Sequence, residues 1–225
     1  LSSYGNAKYP IKNISVKAVD FESSENVEIS VLPEYEGRKN VLLWTGEKGS
    51  VSWNVYIEES GFYQLSMDYI PLAYKGMDIE FGVKVDGKYP YDDFMTVRFH
   101  RMWKDSYEIR RDENGNDLVP DQEEVFEWSN AAFLDTQGFY NKNLPVYFEA
   151  GSHKITLELN REALVIDTLH VFNSEKLPRY ADYSSSYDYN PGSNPKKLVS
   201  KVQGEKTYRK SDSTLVPTSD RSDAA

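Results

Sequence analysis

Apolar and polar positions alternate along most of the chain, and each run of alternation ends at a turn signal. Ile14, Val16 and Ala18 alternate with polar neighbours before Asp20-Phe21-Glu22, which predicts a half-buried strand. Val27 to Leu32 predicts a second short strand stopped by Pro33, and NVLLW (40–44) a third. After the turn at 45–49, Val51, Trp53, Val55 and Ile57 point one way while Ser52, Asn54, Tyr56 and Glu58 point the other. Glu59-Ser60-Gly61 turns the chain into Tyr63, Leu65, Met67 and Tyr69, which alternate until Pro71. Ile79, Phe81, Val83 and Val85 alternate up to Asp86-Gly87. That pair readily takes the positive φ angles of a tight hairpin, so a return strand is expected from Lys88 to Tyr91. Later, Val146 to Phe148 and the alternating Ile155, Leu157 and Leu159 give two more strands. LVIDTLHVF (164–172) is apolar on both faces, as a central strand should be. About eight or nine short strands with turns between them, and no amphipathic helix of normal length, predict an all-β antiparallel sandwich or jelly roll.

One stretch breaks the pattern. Arg98 to Asn143 is long, rich in charge, and carries Trp103, Tyr107, Trp128, Phe139 and Tyr140 without a strand or helix period. Long irregular excursions in compact domains are usually functional or disordered, and disordered segments are poor in aromatics. An ordered, functional insertion is therefore expected. Residues 1–13 read as a lead-in and 14–177 as the sandwich. Residues 178–197, rich in Ser, Tyr, Asn and Pro, read as a linker. Residues 198–225 end the chain as an extended tail that opens with a strand-like LVSKVQGE. Their spacing to Val216-Pro217 echoes that from Val16–Glu22 to Leu32-Pro33, so they read either as the start of a truncated second module or as a chance echo.

Composition narrows the function. The net charge is −10, which disfavours general nucleic-acid binding. Cysteine is absent, which removes disulfides and thiolate metal sites. No apolar run reaches the roughly 20 residues needed to span a bilayer, so no direct membrane insertion is expected. The start, Leu1-Ser2-Ser3, has neither Met nor a signal-peptide pattern and reads as an excised or processed end.

Common catalytic signatures are missing. His100, His153 and His170 lack metal-ligand spacing, and only His100 falls in the excursion. The acidic pairs Asp92-Asp93, Asp112-Glu113 and Glu123-Glu124 cannot be told by spacing from solvated surface groups. Asp112 to Asp117 alternates oxygen ligands like a calcium loop but lacks the closing Glu and flanking helices, so a turn is the better reading and no cofactor is expected. What stands out is an aromatic and guanidinium cluster. Sugars bind by laying C–H faces on aromatic rings while planar polar groups take their hydroxyls. Trp103, Trp128 and Tyr140 are the candidate stacking platforms, and Arg98, Arg101 and Arg110 the candidate clamps. The competing reading is that the tryptophans pin the excursion to the sandwich and the arginines pair with nearby acids.

The stretch GSVSWNVYIEESGFYQLSMDY, with GSHKITLEL and VIDTLHVF, resembles galactose-binding-like jelly rolls, including family 6 and family 35 carbohydrate-binding modules. VRFHRMWKDSYEIRRDENGND, LDTQGFY and the tail KVQGEKTYRKSDSTLVPTSDRSDAA are similar to regions of long extracellular solute-binding proteins of Gram-positive carbohydrate ABC transporters. The resemblance implies a noncatalytic module at the cell surface that binds an oligo- or polysaccharide, with the parent chain's solute-binding domain as a second partner. A ligand-free spacer or docking module is the alternative, and a glycoside-active enzyme ranks below both.

Overall fold

A computed structural model of the chain describes residues 8–136, 138, 143–173, 179–186 and 207–216. The chain runs through β1 (Asn13–Lys17), β2 (Ser23–Glu25), β3 (Ile29–Tyr35), β4 (Arg38–Trp44), β5 (Ser50–Ile57), β6 (Gly61–Pro71) and β7 (Ile79–Val85). A short 3-10 turn, Asp92–Met95, leads to β8 (Val97–Phe99), β9 (Met102–Asp105), β10 (Arg110–Arg111), β11 (Asp117–Leu118), β12 (Gln122–Val125) and β13 (Ser129–Ala132). Then come β14 (Pro145–Phe148), β15 (Gly151–Arg161), β16 (Leu164–Phe172) and one short helix, α1 (Tyr180–Ser186).

Among the described residues the strands form two main antiparallel sheets. The long β6–β16 pair is the spine of the first. β13 and β14 lie end to end along the far side of β6, and β1 and β4 along the far side of β16, with β3 outside β4. The second sheet has the order β2-β5-β15-β7-β8. Alternation turns Tyr63, Leu65, Met67, Leu164 and Ile166 of the first sheet against Trp53, Val55, Phe81, Val83, Leu157 and Leu159 of the second, in one buried cluster. The expected sandwich is what the chain forms, and LVIDTLHVF is its central strand.

The family-like motifs prove to be core positions. The Trp53 indole is fully buried and donates to the Ala18 carbonyl at 2.9 Å. Gly61 is a glycine because a Cβ there would sit 2.5 Å from Pro10 Cδ, where the N-terminal segment crosses over it. His153 bonds both Asp86 Oδ2 (2.7 Å) and the Glu149 carbonyl (2.8 Å), a structural clamp on the hairpin it opens. Asp86-Gly87 forms the tight turn expected of it, with φ of 51° and 76° and mutual backbone bonds between Val85 and Lys88.

Four details differ from expectation. Pro33 does not stop β3, because β3 is an edge strand paired only with β4 and the missing donor costs nothing there. The return strand from Lys88 to Tyr91 is only a one-residue bridge at Lys88, and the neighbours of β7 are β15 and β8, the latter starting at Val97. Part of the expected linker is helical, namely α1. The excursion is not irregular. β8 is an edge of the second sheet, β13 an edge of the first, and β9 and β12 pair as a two-stranded ribbon tipped by the β10–β11 hairpin. Its two ends are pinned by Phe99 and Phe133, whose rings meet Phe81 in the core at 5.0 and 5.4 Å. The strand expected over Leu198 to Glu205 lies outside the described residues. Among the described residues no helix is long and apolar enough to cross a bilayer.

Candidate functional site

The five sequence-nominated residues that are described do not converge. β8 turns Val97 and Phe99 into the core, so Arg98 faces outward from the second sheet, where Nε meets Glu80 Oε2 at 2.9 Å. Trp128 lies against the outer face of the first sheet, on the opposite side of the sandwich. Trp103 sits half-buried on the ribbon, opposite Glu124. Arg110 is exposed on the tip hairpin with its guanidinium 4.7 Å from the Tyr107 ring centroid. Tyr140 lies outside the described residues.

Arg101 is corrected outright, because it is only 2% exposed and cannot clamp a ligand. Its guanidinium pairs with Glu124 and Glu162 and donates to the carbonyls of Leu72 and Met77. Glu162 is fully buried, at φ 71°, and accepts from the Lys75 and Met77 amides as well. The arginine therefore locks the ribbon, the β6–β7 loop and the β15–β16 turn together.

The tip is a turn, as its sequence suggested. Asp112 accepts from the amides of Asn114 and Asn116 and from the Asn116 side chain, and Gly115 takes φ 80°. The Asp112 carboxylate is consumed by its own loop. Among the described residues no group of three or more His, Cys, Asp or Glu side chains is placed to hold a metal ion. His100 bonds Asp78 Oδ2 at 2.8 Å in the open.

A denser arrangement lies on the outer face of the first sheet. Because Tyr63, Leu65, Met67 and Tyr69 face inward, Gln64, Ser66 and Asp68 of β6 face outward. Beside them stand Thr168 and His170 of β16, Ser15 and Lys17 of β1, and Asn130 of β13. The ladder between β6 and β16 shifts register between Ile166 and Thr168, and Asp167, at that bulge, joins the same face. Arg38 Nη1 bridges Asp68 Oδ2 (3.1 Å) and Asp167 Oδ2 (2.8 Å), and Lys17 pairs with Asp167 as well. Asn130 donates to Asp68 at 2.7 Å, and His170 Nε2 lies 3.3 Å from the same carboxylate. Asn143 and Gln64 continue the polar line at 2.5 Å.

Trp128 closes one end of this line. Its indole nitrogen donates to the Glu36 carbonyl at 3.0 Å, and the Arg38 guanidinium lies 4.5 Å from its ring centroid. The ring packs on an apolar patch of Val41, Ile70 and Val165. Phe62 closes the other end, stacked on Tyr9 and edge-on to Tyr147. Polar groups thus lie between two aromatic borders, with Arg38 a third exposed and Lys17 about half exposed. Sequence reasoning found Trp128 but missed Arg38, Asp68, Asp167, His170 and Asn130. The alternation signal placed Asp68 on the polar side of its strand; nothing local said which strands would lie beside it.

Burial alone would raise the Asp68 pKa. The bonds from Asn130, His170 and Arg38 outweigh it and hold the carboxyl below the usual range. Asp86 and Glu158 behave alike: burial pushes up, while Lys154 and His153 in one case and Lys84 and Tyr89 in the other pull further down. Such groups stabilise the fold above the unfolded carboxylate pKa of about 4 and lose that contribution as pH falls through the lower folded values. A melting series is therefore expected to be level from pH 7 to about 5 and to fall steeply below about 4. A midpoint unchanged down to pH 2.5 would contradict these assignments.

No family model matches the chain, and no curated protein matches it by sequence. Solved structures do. A GH26-CBM35 β-(1,4)-mannanase from Podospora anserina is 13% identical at a TM-score of 0.44, over 76% of this chain and 29% of that one. The C-terminal CBM6 of LamC, a marine laminarinase from Zobellia galactanivorans, is 12% identical at 0.42, over 72% of this chain and 100% of that one. A family 35 carbohydrate-binding module from Clostridium thermocellum is 15% identical at 0.41, over 72% of this chain and 99% of that one. The chain thus spans less than a third of the mannanase but essentially all of the two isolated modules.

Proposed function

We propose that the chain is a noncatalytic carbohydrate-binding module of an extracellular, cell-surface protein. The observation that carries this reading is the outer face of the first sheet, where Trp128 borders a row of fixed donors and acceptors in Arg38, Asp68, Asn130 and His170. These groups are preorganised by one another, so a sugar's hydroxyls would meet them at little ordering cost. Arg38 and Asp68 offer complementary bonding partners for vicinal hydroxyls, and Trp128 offers an apolar edge for a C–H face. The resemblance to Gram-positive solute-binding proteins supports a place beside the solute-binding domain of a carbohydrate transport system.

The electrostatics of this face do not make Asp68 the acid of a glycosidase. Glycosidases need one carboxyl held protonated near neutral pH opposite an ionised one. Asp68 is instead held ionised, and Arg38 ties it to Asp167.

Calorimetry against a panel of plant, fungal and host polysaccharides tests the reading. At least one glycan is expected to bind, and Asn130→Ala is expected to weaken it by up to about tenfold, the upper end of the worth of one neutral hydrogen bond. Absence of heat and of thermal stabilisation across the panel would remove the glycan function. The spacer reading would then stand, since Arg101 and Arg98 are already occupied within the chain.

A further inference from the structure

The ribbon carries a feature that glycan binding does not use. β12 pairs with one edge of β9, and the other edge is covered by the chain's own C-terminal segment. Trp103 and Lys210 exchange both backbone bonds, N to O at 2.8 Å one way and 2.7 Å the other, as a directly opposed antiparallel pair does. Side chains then read the segment. The Lys210 ammonium, with its residue only 7% exposed, meets Asp105 Oδ1 at 2.5 Å, and Gln122 supports the same carboxylate at 2.6 Å. The Tyr208 hydroxyl donates to Glu127, with its two carboxylate oxygens at 2.8 and 3.0 Å. Arg209 lies 3.8 Å from Glu127 and donates to Ser129 Oγ at 3.4 Å.

We propose that the edge of β9 away from β12 is a sequence-selective strand-docking site, filled within the same molecule by Tyr208-Arg209-Lys210. Two bonds to the backbone would accept any extended strand. Selectivity comes from charge: Asp105 on the ribbon and Glu127 in the link that follows β12 face Lys210 and Arg209 on the segment, in a chain that is acidic overall. Burial of the Lys210 ammonium makes Asp105 essential, since an unpaired buried charge is costly. The docked strand also caps an edge that would otherwise be open to pairing with other chains. It holds Tyr208 and Arg209 against Glu127. This inference stands independently of the glycan reading.

Hydrogen exchange on the full chain tests it. In the wild type, the amides of Trp103 and Lys210 are expected to be protected at least tenfold over an open strand. Lys210→Glu and Asp105→Lys should each abolish that protection while leaving core amides of β6 and β16 unchanged. The double variant D105K/K210E should restore most of it. Tyr208→Phe, which keeps the backbone pair and the buried charge, should reduce protection only severalfold. Failure of the charge swap to restore protection, or equal exchange in the wild type and Lys210→Glu, would overturn the proposal. So would protection that disappears on dilution, because the strand would then come from a second molecule.

Discussion

Replacing Arg101 with methionine is expected to cost about 3–5 kcal/mol, the usual penalty for breaking a buried ion pair from one side. In a domain of this size that lowers the melting temperature by roughly 10 °C. The physical reason is Glu162. It is fully buried, held at a positive φ, and faces the guanidinium and two loop amides. Methionine fills much of the space but leaves Glu162 without its cation, and Glu124 loses the same partner. The double variant R101M/E162Q should recover part of the loss, because it removes the unpaired buried charge while the single amide oxygen still accepts from one of the two loop amides, Lys75 or Met77. Thermal melts of the three proteins check this. A shift of less than about 2 °C for Arg101→Met would show that the cluster contributes little.

The second large effect concerns binding. Trp128→Ala is expected to weaken glycan affinity about 30-fold or more, since removing an aromatic anchor typically costs about 2 kcal/mol or more. It also frees the Arg38 guanidinium, which now stacks on the ring, and removes the bond to Glu36. Some stability is lost as well, because the ring packs on Val41, Ile70 and Val165. Trp128→Phe separates the two effects. It keeps most of the packing but loses the Nε1 bond and part of the plane, so its melting point should stay near wild type while affinity falls. Trp103→Ala provides the contrast. Trp103 belongs to the ribbon, away from the Arg38–Asp68 row, and its loss should leave affinity within about twofold if that row is the site. Titration of the same glycan into the three variants decides this. Loss of binding in Trp103→Ala but not in Trp128→Ala would move the site to the ribbon.

Several expectations carried through because they rest on local physics. Period-two alternation fixes which side chains share a face whatever the neighbouring strands are, so Trp53, Tyr63, Leu65, Phe81 and Leu157 were legible as core. Asp86-Gly87 was legible as a hairpin because the needed φ angles are intrinsic to that pair. The strand through Pro33 was misjudged because proline's effect depends on whether its strand has a neighbour on that side. The excursion looked irregular because β9 and β12 are four residues each, too short to show a period.

Sequence alone thus determined an all-β sandwich, its central strand, its core-facing positions and the unusual concentration of Trp and Arg in one segment. Tertiary structure alone decided what those Trp and Arg residues do. Arg98, Arg101 and Arg110 are close in the chain, yet one faces outward from a sheet, one is buried in an ion cluster and one tops a hairpin. Asp68, Asp167, Arg38 and Asn130 are far apart in the chain, yet they form one bonded row because β6, β16, the start of β4 and β13 meet on one face. Alternation gives a strand its faces but not its neighbours. Which strands pair is settled by long-range contacts, and those assemble the polar row and dock the tail.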